Sequence, residues 1–166
     1  MAIKLGGLCA SKTIALLTGS KGINAGLAAL TRSRSYPPPA LNAAQVQAQN
    51  VAPDLAERSG RAQFPAVNVY CEKVVNAMTE KFRSFSGSAQ MAIEIRHSQD
   101  RLDGLQDSLE LFADAVAHAL NGARGDWGDG VFYGGGYEVS FSGAKQGGKN
   151  FLQTAKVSFK IGVSRS

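Results

Sequence analysis

Acidic residues are absent from the first 53 positions of this 166-residue chain, and its other scarcities each remove a class of function. Only two cysteines occur, Cys9 and Cys71, far apart and without a CxxC pair, so no disulfide framework is expected. Adding His97 and His118 gives four nominal zinc ligands, but no two have finger-like spacing, and no metal is expected. No apolar run approaches the roughly 18 to 20 residues of a membrane span, so no membrane partner is expected. Ser11 and Lys12 interrupt any signal-peptide core, and Leu8 before Cys9 denies the small residue of a lipoprotein cleavage site, which predicts no secretory signal. The serines lack a GxSxG elbow. "GDWGDG" supplies only Asp126 and Asp129, too few oxygens for a calcium loop. No constellation argues for catalysis.

The length suits one ordinary domain, and 44% hydrophobic residues suffice for a packed core. The net charge of +5 is unevenly spread. Residues 1–53 carry Lys4, Lys12, Lys21, Arg32 and Arg34. Residues 54–138 hold all 13 acids against 8 basic residues, a net of −5. Residues 139–166 hold Lys145, Lys149, Lys156, Lys160 and Arg165 with no acid. A basic, acidic, basic order suits charge-complementary docking between copies or with partners. It suits a nucleic-acid coat less well, since the central block repels phosphate.

Within the first block, "ALLTGSKGINAG" (residues 15–26) resembles the glycine turn that opens short-chain dehydrogenases. A dinucleotide turn needs a strand–helix–strand unit and an acid about 20 residues on. Here no acid precedes Asp54, and Pro37-Pro38-Pro39 arrives before a second strand. The Tyr-x-x-x-Lys pattern is one residue short at Tyr70 to Lys73, and no P-loop ending is present. No cofactor is therefore expected. Three prolines fix an extended spacer. Residues 1–60 thus read as an extended, basic N-terminal arm, although an acid-free Ser/Arg-bearing start also mimics a transit peptide. Lys12, Lys21, Arg32 and Arg34 are its candidate contacts. After the spacer, residues 40–50 predict a weak helix, followed by a turn near Pro53 and a short helical stretch.

From residue 61 the pattern predicts an α+β domain. Period-two alternation places Val67, Val69 and Cys71 on one face, then Met91, Ile93 and Ile95, then Tyr137, Val139 and Phe141, then Val157, Phe159, Ile161 and Val163. Between the second and third strands, Leu105, Leu109, Phe112, Val116 and Leu120 form a helical stripe. Asp103 and Gln106 offer a capping box, and Asn121-Gly122 a left-handed close. The expectation is a mostly antiparallel four-stranded sheet in β-β-α-β-β order, with one main helix packed on it. Two long loops, residues 121–136 and 142–154, are placed to meet partners.

Candidate interaction residues follow. Asp103, Asp107, Glu110 and Asp114 fall at spacings of four, three and four, one acidic stripe beside the apolar one. Lys145, Lys149, Lys156 and Lys160 on the last hairpin are its candidate cationic partners, in the same chain or a neighbouring copy. Trp127, Phe132 and Tyr133 sit among glycines and suit an interface or a sheet edge better than base stacking. Asp114 and His118 are spaced to pair on the helix, and His97 suits a loop cap.

The segments "FPAVNVYCEKV", "AQMAIEIRHS", "DGLQDSLELFADAVAHAL", "GDWGDGVFYGGGYEVSFSG" and "AKVSFKIGVSRS" together resemble the tail-terminator (tail-completion) proteins of tailed bacteriophages. The resemblance spans Phe64 to Arg165 and rests on pattern and order, which neck, connector and tail-tube proteins share. It implies a non-enzymatic virion protein, assembled in the host cytoplasm as a homo-oligomeric, commonly hexameric, ring. The ring stops tail-tube growth at the head-proximal end and joins tail to neck. Implied partners are tail-tube, neck or connector proteins, sheath where there is one, and DNA passing the lumen without specific binding. The acidic stripe is then a candidate for lining that lumen. Head-completion and tube subunits are alternatives, as are, from other classes, a small basic nucleic-acid-binding protein and an NAD(P)-dependent enzyme.

Overall fold

In the computed structural model, residues 4–50 and 63–166 are described. The long alternating segments become the two central strands of one eight-stranded sheet. Its strands are β1 (Val46–Gln47), β2 (Ala66–Asn76), β3 (Phe85–Gln99), β4 (Gly125–Gly128), β5 (Val131–Tyr133), β6 (Glu138–Phe141), β7 (Lys145–Gly147) and β8 (Asn150–Arg165). Helices α1 (Leu5–Thr18) and α2 (Ile23–Leu30) precede them, and α3 (Leu105–Asn121) follows β3.

The spatial order is β1-β2-β3-β8-β5-β4, with β6 and β7 also lying along β8. One edge of β8 pairs with β3 from Phe85↔Arg165 to Gln99↔Phe151. Its other edge is shared by β7, β6 and β5. Because side chains alternate across a strand, register decides what is buried. Met91, Ile93 and Ile95 lie opposite Phe159, Val157 and Ala155, and all six are buried. The helices cover this face. The α3 stripe Leu105, Leu109, Phe112, Val116 and Leu120 is buried as expected. Burying each large aliphatic side chain is worth about 1.5–3 kcal/mol, so this face carries most of the hydrophobic stabilisation.

The class is α+β, but the sheet is larger than four antiparallel strands. The expected segments fall in β2, β3, β6 and β8. Short strands β4, β5 and β7 condense from the two glycine-rich loops, and β1 runs parallel to β2, so the sheet is mixed. The 142–154 segment is a tight hairpin whose tip is Gly148-Lys149, with Gly148 at φ 65° supplying the left-handed residue the turn needs.

The opening segment is not an extended arm. Residues 15–18 end a helix rather than a strand, Gly19–Gly22 turn, and α2 follows. Cys9, Ala10, Leu17, Ile23 and Leu27 join the same core as the sheet. Apolar residues are spread around α1 without a narrow stripe, and Gly6-Gly7 reads as a loop, so periodicity hides the helix. Asn24 fixes the chain beyond the prolines: its side chain accepts from Leu41 N and donates to Leu41 O, both at 2.8 Å. Residues 40–50 hold a single 3-10 turn at Ala43–Gln45 and then β1, not a helix. The expected turn near Pro53, the short helix after it and the boundary near residue 60 lie outside the described residues.

Both expected caps of α3 differ. The N-cap is Gly104 at φ 80°, and Asp103 makes no side-chain cap. Gln106 instead meets Gln153 and, at 3.0 Å, Glu110. Gly122 closes the helix at φ −81°, right-handed, still donating to the carbonyls of His118 and Leu120.

Candidate interaction surfaces

Three acids of the expected stripe, Asp107, Glu110 and Asp114, lie on α3, whereas Asp103 precedes its N-cap Gly104 and sits in the approach to the helix. All four are exposed, the three helical ones on the side of α3 turned from the sheet. Among the described residues, no lysine or arginine pairs with any of the four. Their expected partners in the last hairpin are elsewhere. Lys156 and Lys160 alternate with the buried Val157, Phe159 and Ile161, so they leave the sheet on the face opposite α3. Lys156 pairs with Glu72 there. Lys145 and Lys149 are exposed at the hairpin end. One chain therefore carries this acidic row on the helical side, and Lys156 and Lys160 on the other face, where Glu72 and Glu94 also sit.

The four basic residues assigned to the arm separate. Lys12 is an internal staple from α1 to the β4–β5 turn: Nζ donates to Trp127 O at 2.8 Å and pairs with Asp129 at 3.0 Å. The Lys12 ammonium holds the Asp129 carboxyl below the usual carboxylate range. Lys21, Arg32 and Arg34 are exposed, in the α1–α2 turn and after α2, and remain open to contacts.

Of the three loop aromatics, Tyr133 is core and Trp127 is half-buried against it. Trp127 and Tyr133 lie 5.5 Å apart, and both stack against Phe159, at 6.4 and 5.6 Å. Such tilted and edge-on pairs are the favoured aromatic geometry. Trp127 Nε1 also donates to Ala123 O, closing the turn after α3. Phe132, the alternate residue of β5, faces out and is 54% exposed. Strand period explains the split.

The histidines make no dyad. His118 and Asp114 are both exposed and share no hydrogen bond. His97 lies within β3 rather than at a loop cap, edge-on to Phe112 at 5.3 Å. Burial pushes its pKa below the ordinary value.

On the face opposite α3, sequence reasoning missed a polar network. Glu94 accepts from Tyr70 Oη at 2.6 Å and pairs with Arg96 at 2.9 Å. Burial and the Glu94 bond raise the Tyr70 pKa, so this phenol donates rather than acts as a base. Beside it, a cavity of about 440 Å³ is lined by Ser140, Ser142, Leu152, Thr154 and Lys156 among others, with no histidine or cysteine. Each Glu94 oxygen has one partner, Tyr70 on Oε1 and Arg96 on Oε2. Among the described residues no three His, Cys, Asp or Glu side chains gather to hold a metal. No helix among them is long and apolar enough to cross a membrane.

The second missed surface is the loop of residues 77–84 between β2 and β3. Phe82 is 99% exposed and Met78 58%. Both sit in left-handed backbone, at φ 66° and 51°, which costs a non-glycine residue about 1–2 kcal/mol. Hydrogen bonds hold the loop in this shape. Asn76 Oδ1 accepts from Ser86 N at 3.0 Å and Met78 N at 3.4 Å, and Asn76 Nδ2 donates to Ser84 O at 3.2 Å. Ser86 Oγ accepts from Glu80 N at 3.0 Å, and Glu80 accepts from Ser164 Oγ at 2.8 Å. The available signal was Met and Phe inside an otherwise polar connection, "AMTEKFRS".

No protein-family model matches the chain, and no curated protein is significantly similar to it.

Proposed function

We propose that this chain is a structural, non-catalytic subunit that assembles into a closed ring, of the phage tail-terminator kind. The observation that carries the reading is the placement of charge: an unpaired acidic stripe on the outer side of α3, and lysines on the opposite sheet face and hairpin. Two unlike surfaces on one subunit suit heterologous, head-to-tail contacts, which close into rings when the rotation allows. The resemblance of residues 64–165 to tail terminators supplies the context, a ring of six or so copies in the virion. In it the ring caps the tail tube and meets neck or connector proteins, with sheath where the tail contracts, while DNA crosses the lumen without sequence-specific contacts. The buried Tyr133 and the Trp127 packed against it favour this reading over a base-stacking surface. The test is to add purified protein to growing tail tubes. Tubes stopped at a defined length, with a ring at one end, support the proposal; unaltered tube lengths and no end-bound protein refute it.

A further inference from the structure

The 77–84 loop and the start of α3 stand at opposite ends of the same strand. The loop enters β3 at Phe85, and the chain leaves β3 at Gln99, just before Leu102 and Asp103. Fifteen residues of strand separate them, roughly 45 Å at 3.3 Å per residue. The loop cannot reach the helix start of its own copy. Yet the two match in chemistry. The loop presents Phe82, wholly exposed, between Lys81 and Arg83. The helix start presents Leu102, 56% exposed, beside Asp103, Asp107 and Glu110. An aromatic flanked by cations faces an aliphatic flanked by acids.

We infer that the 77–84 loop is the docking element of a head-to-tail contact between two copies of this chain, with Phe82 seated on Leu102 and the acidic stripe of its neighbour. The hydrogen bonds at Asn76, Glu80 and Ser86 fix the two ends of the loop, which lowers the backbone part of the ordering cost on binding. Large, pre-set aromatics of this kind carry most of the energy of an interface, and flanking charges set speed and register. Glu80 accepts from Ser164 and pairs with Arg83 at 3.4 Å, so Lys81 carries most of the loop's charge toward the stripe. The acidic stripe is then spent between subunits rather than on the lumen. The inference rests on the ring reading only in requiring that copies join.

Sedimentation of the full chain across a concentration series tests it. Phe82→Ser weakens self-association about tenfold or more, with melting of the dissociated chain unchanged because the side chain there touches solvent. Lys81→Glu/Arg83→Glu and, separately, Asp107→Lys/Glu110→Lys each weaken it about as much, since like charges then meet. Mixing these two charge-reversed proteins restores assembly, because every loop again faces a stripe of opposite sign. A loop merely distorted by substitution is not rescued by a reversed stripe, so the mixture separates docking from misfolding. Variants that assemble like the parent, a mixture that stays apart, or a parent chain monomeric at about 100 μM overturn the inference. Rings indifferent to both reversals would sink the inference and leave the terminator reading standing. Loop-dependent assemblies that do not cap tubes would do the reverse.

Discussion

Gly26→Ala in α2 probes whether the N-terminal segment is core, and the structure sets its magnitude. A Cβ at Gly26 would lie 2.8 Å from the carbonyl oxygen of Ala115, and 3.1 and 3.3 Å from its Cα and carbonyl carbon. All three are backbone atoms of α3, so no side chain can swing aside. The two helices must part, loosening Ile23 and Leu27 in the core. Overpacking of this kind costs about 1–3 kcal/mol. Against it stands a helix-propensity gain of about 1 kcal/mol for replacing glycine. Gly7→Ala in α1 is the matched control, because its Cβ would meet only Lys4 Cβ at 3.7 Å, an ordinary contact. The propensity gain is common to both, so the difference in stability isolates the steric term at about 1–3 kcal/mol. Urea unfolding reads this as midpoints separated by about 1 M, with Gly7→Ala raised and Gly26→Ala lowered. Equal increases would mean that α2 does not pack on α3, and the arm reading would return.

Three further substitutions test other joints. Gly130→Ala drives a Cβ into Ser164 O at φ 77° and should cost more than about 2 kcal/mol in denaturant unfolding, whereas full stability would refute the packing of the β4–β5 turn on β8. Lys12→Met removes the staple to Trp127 O and should cost about 0.5–1.5 kcal/mol. It should also return the Asp129 carboxyl to its ordinary titration, seen by NMR. With that pKa depressed in the folded state, the staple contributes above an unfolded value of 3.8 and is lost as pH falls below it; an unshifted Asp129 in the parent would contradict the pair. His97 is held neutral by burial, so its folded pKa lies below 6.5, and stability is present above that value and lost as pH falls. His97→Gln should therefore flatten the decline in thermal stability between neutral pH and pH about 5; an unchanged slope would refute its burial.

The central strands and α3 were legible because each repeats one period for long enough to be unmistakable. Val67, Val69, Met91, Ile93, Val157 and Phe159 announce their shared face by alternation alone, and α3 by its three-and-four spacing. What stayed hidden had no period to show. In α1, apolar residues surround the helix and two glycines open it, so packing on β2 and β3 overrides a loop-like local sequence. The short strands β4, β5 and β7 are templated by β8, and Gly125, Gly128 and Gly130 read equally well as loop. Of the candidate surface, the acidic stripe could be read because helical spacing fixes its geometry. The role of Lys12 could not, since Asp129 is distant in sequence and meets it only through the fold. The exposure of Phe82 was equally unreadable, because it depends on a left-handed backbone at Met78 and Phe82 that no local sequence pattern announces.

The most direct measurement is the native mass of the assembled chain over a wide concentration range. A closed ring requires one species of fixed stoichiometry, a whole-number multiple of 17.4 kDa that does not grow as concentration rises. Open-ended growth would contradict closure, and a chain that stayed monomeric even beside tail tubes would contradict the ring itself.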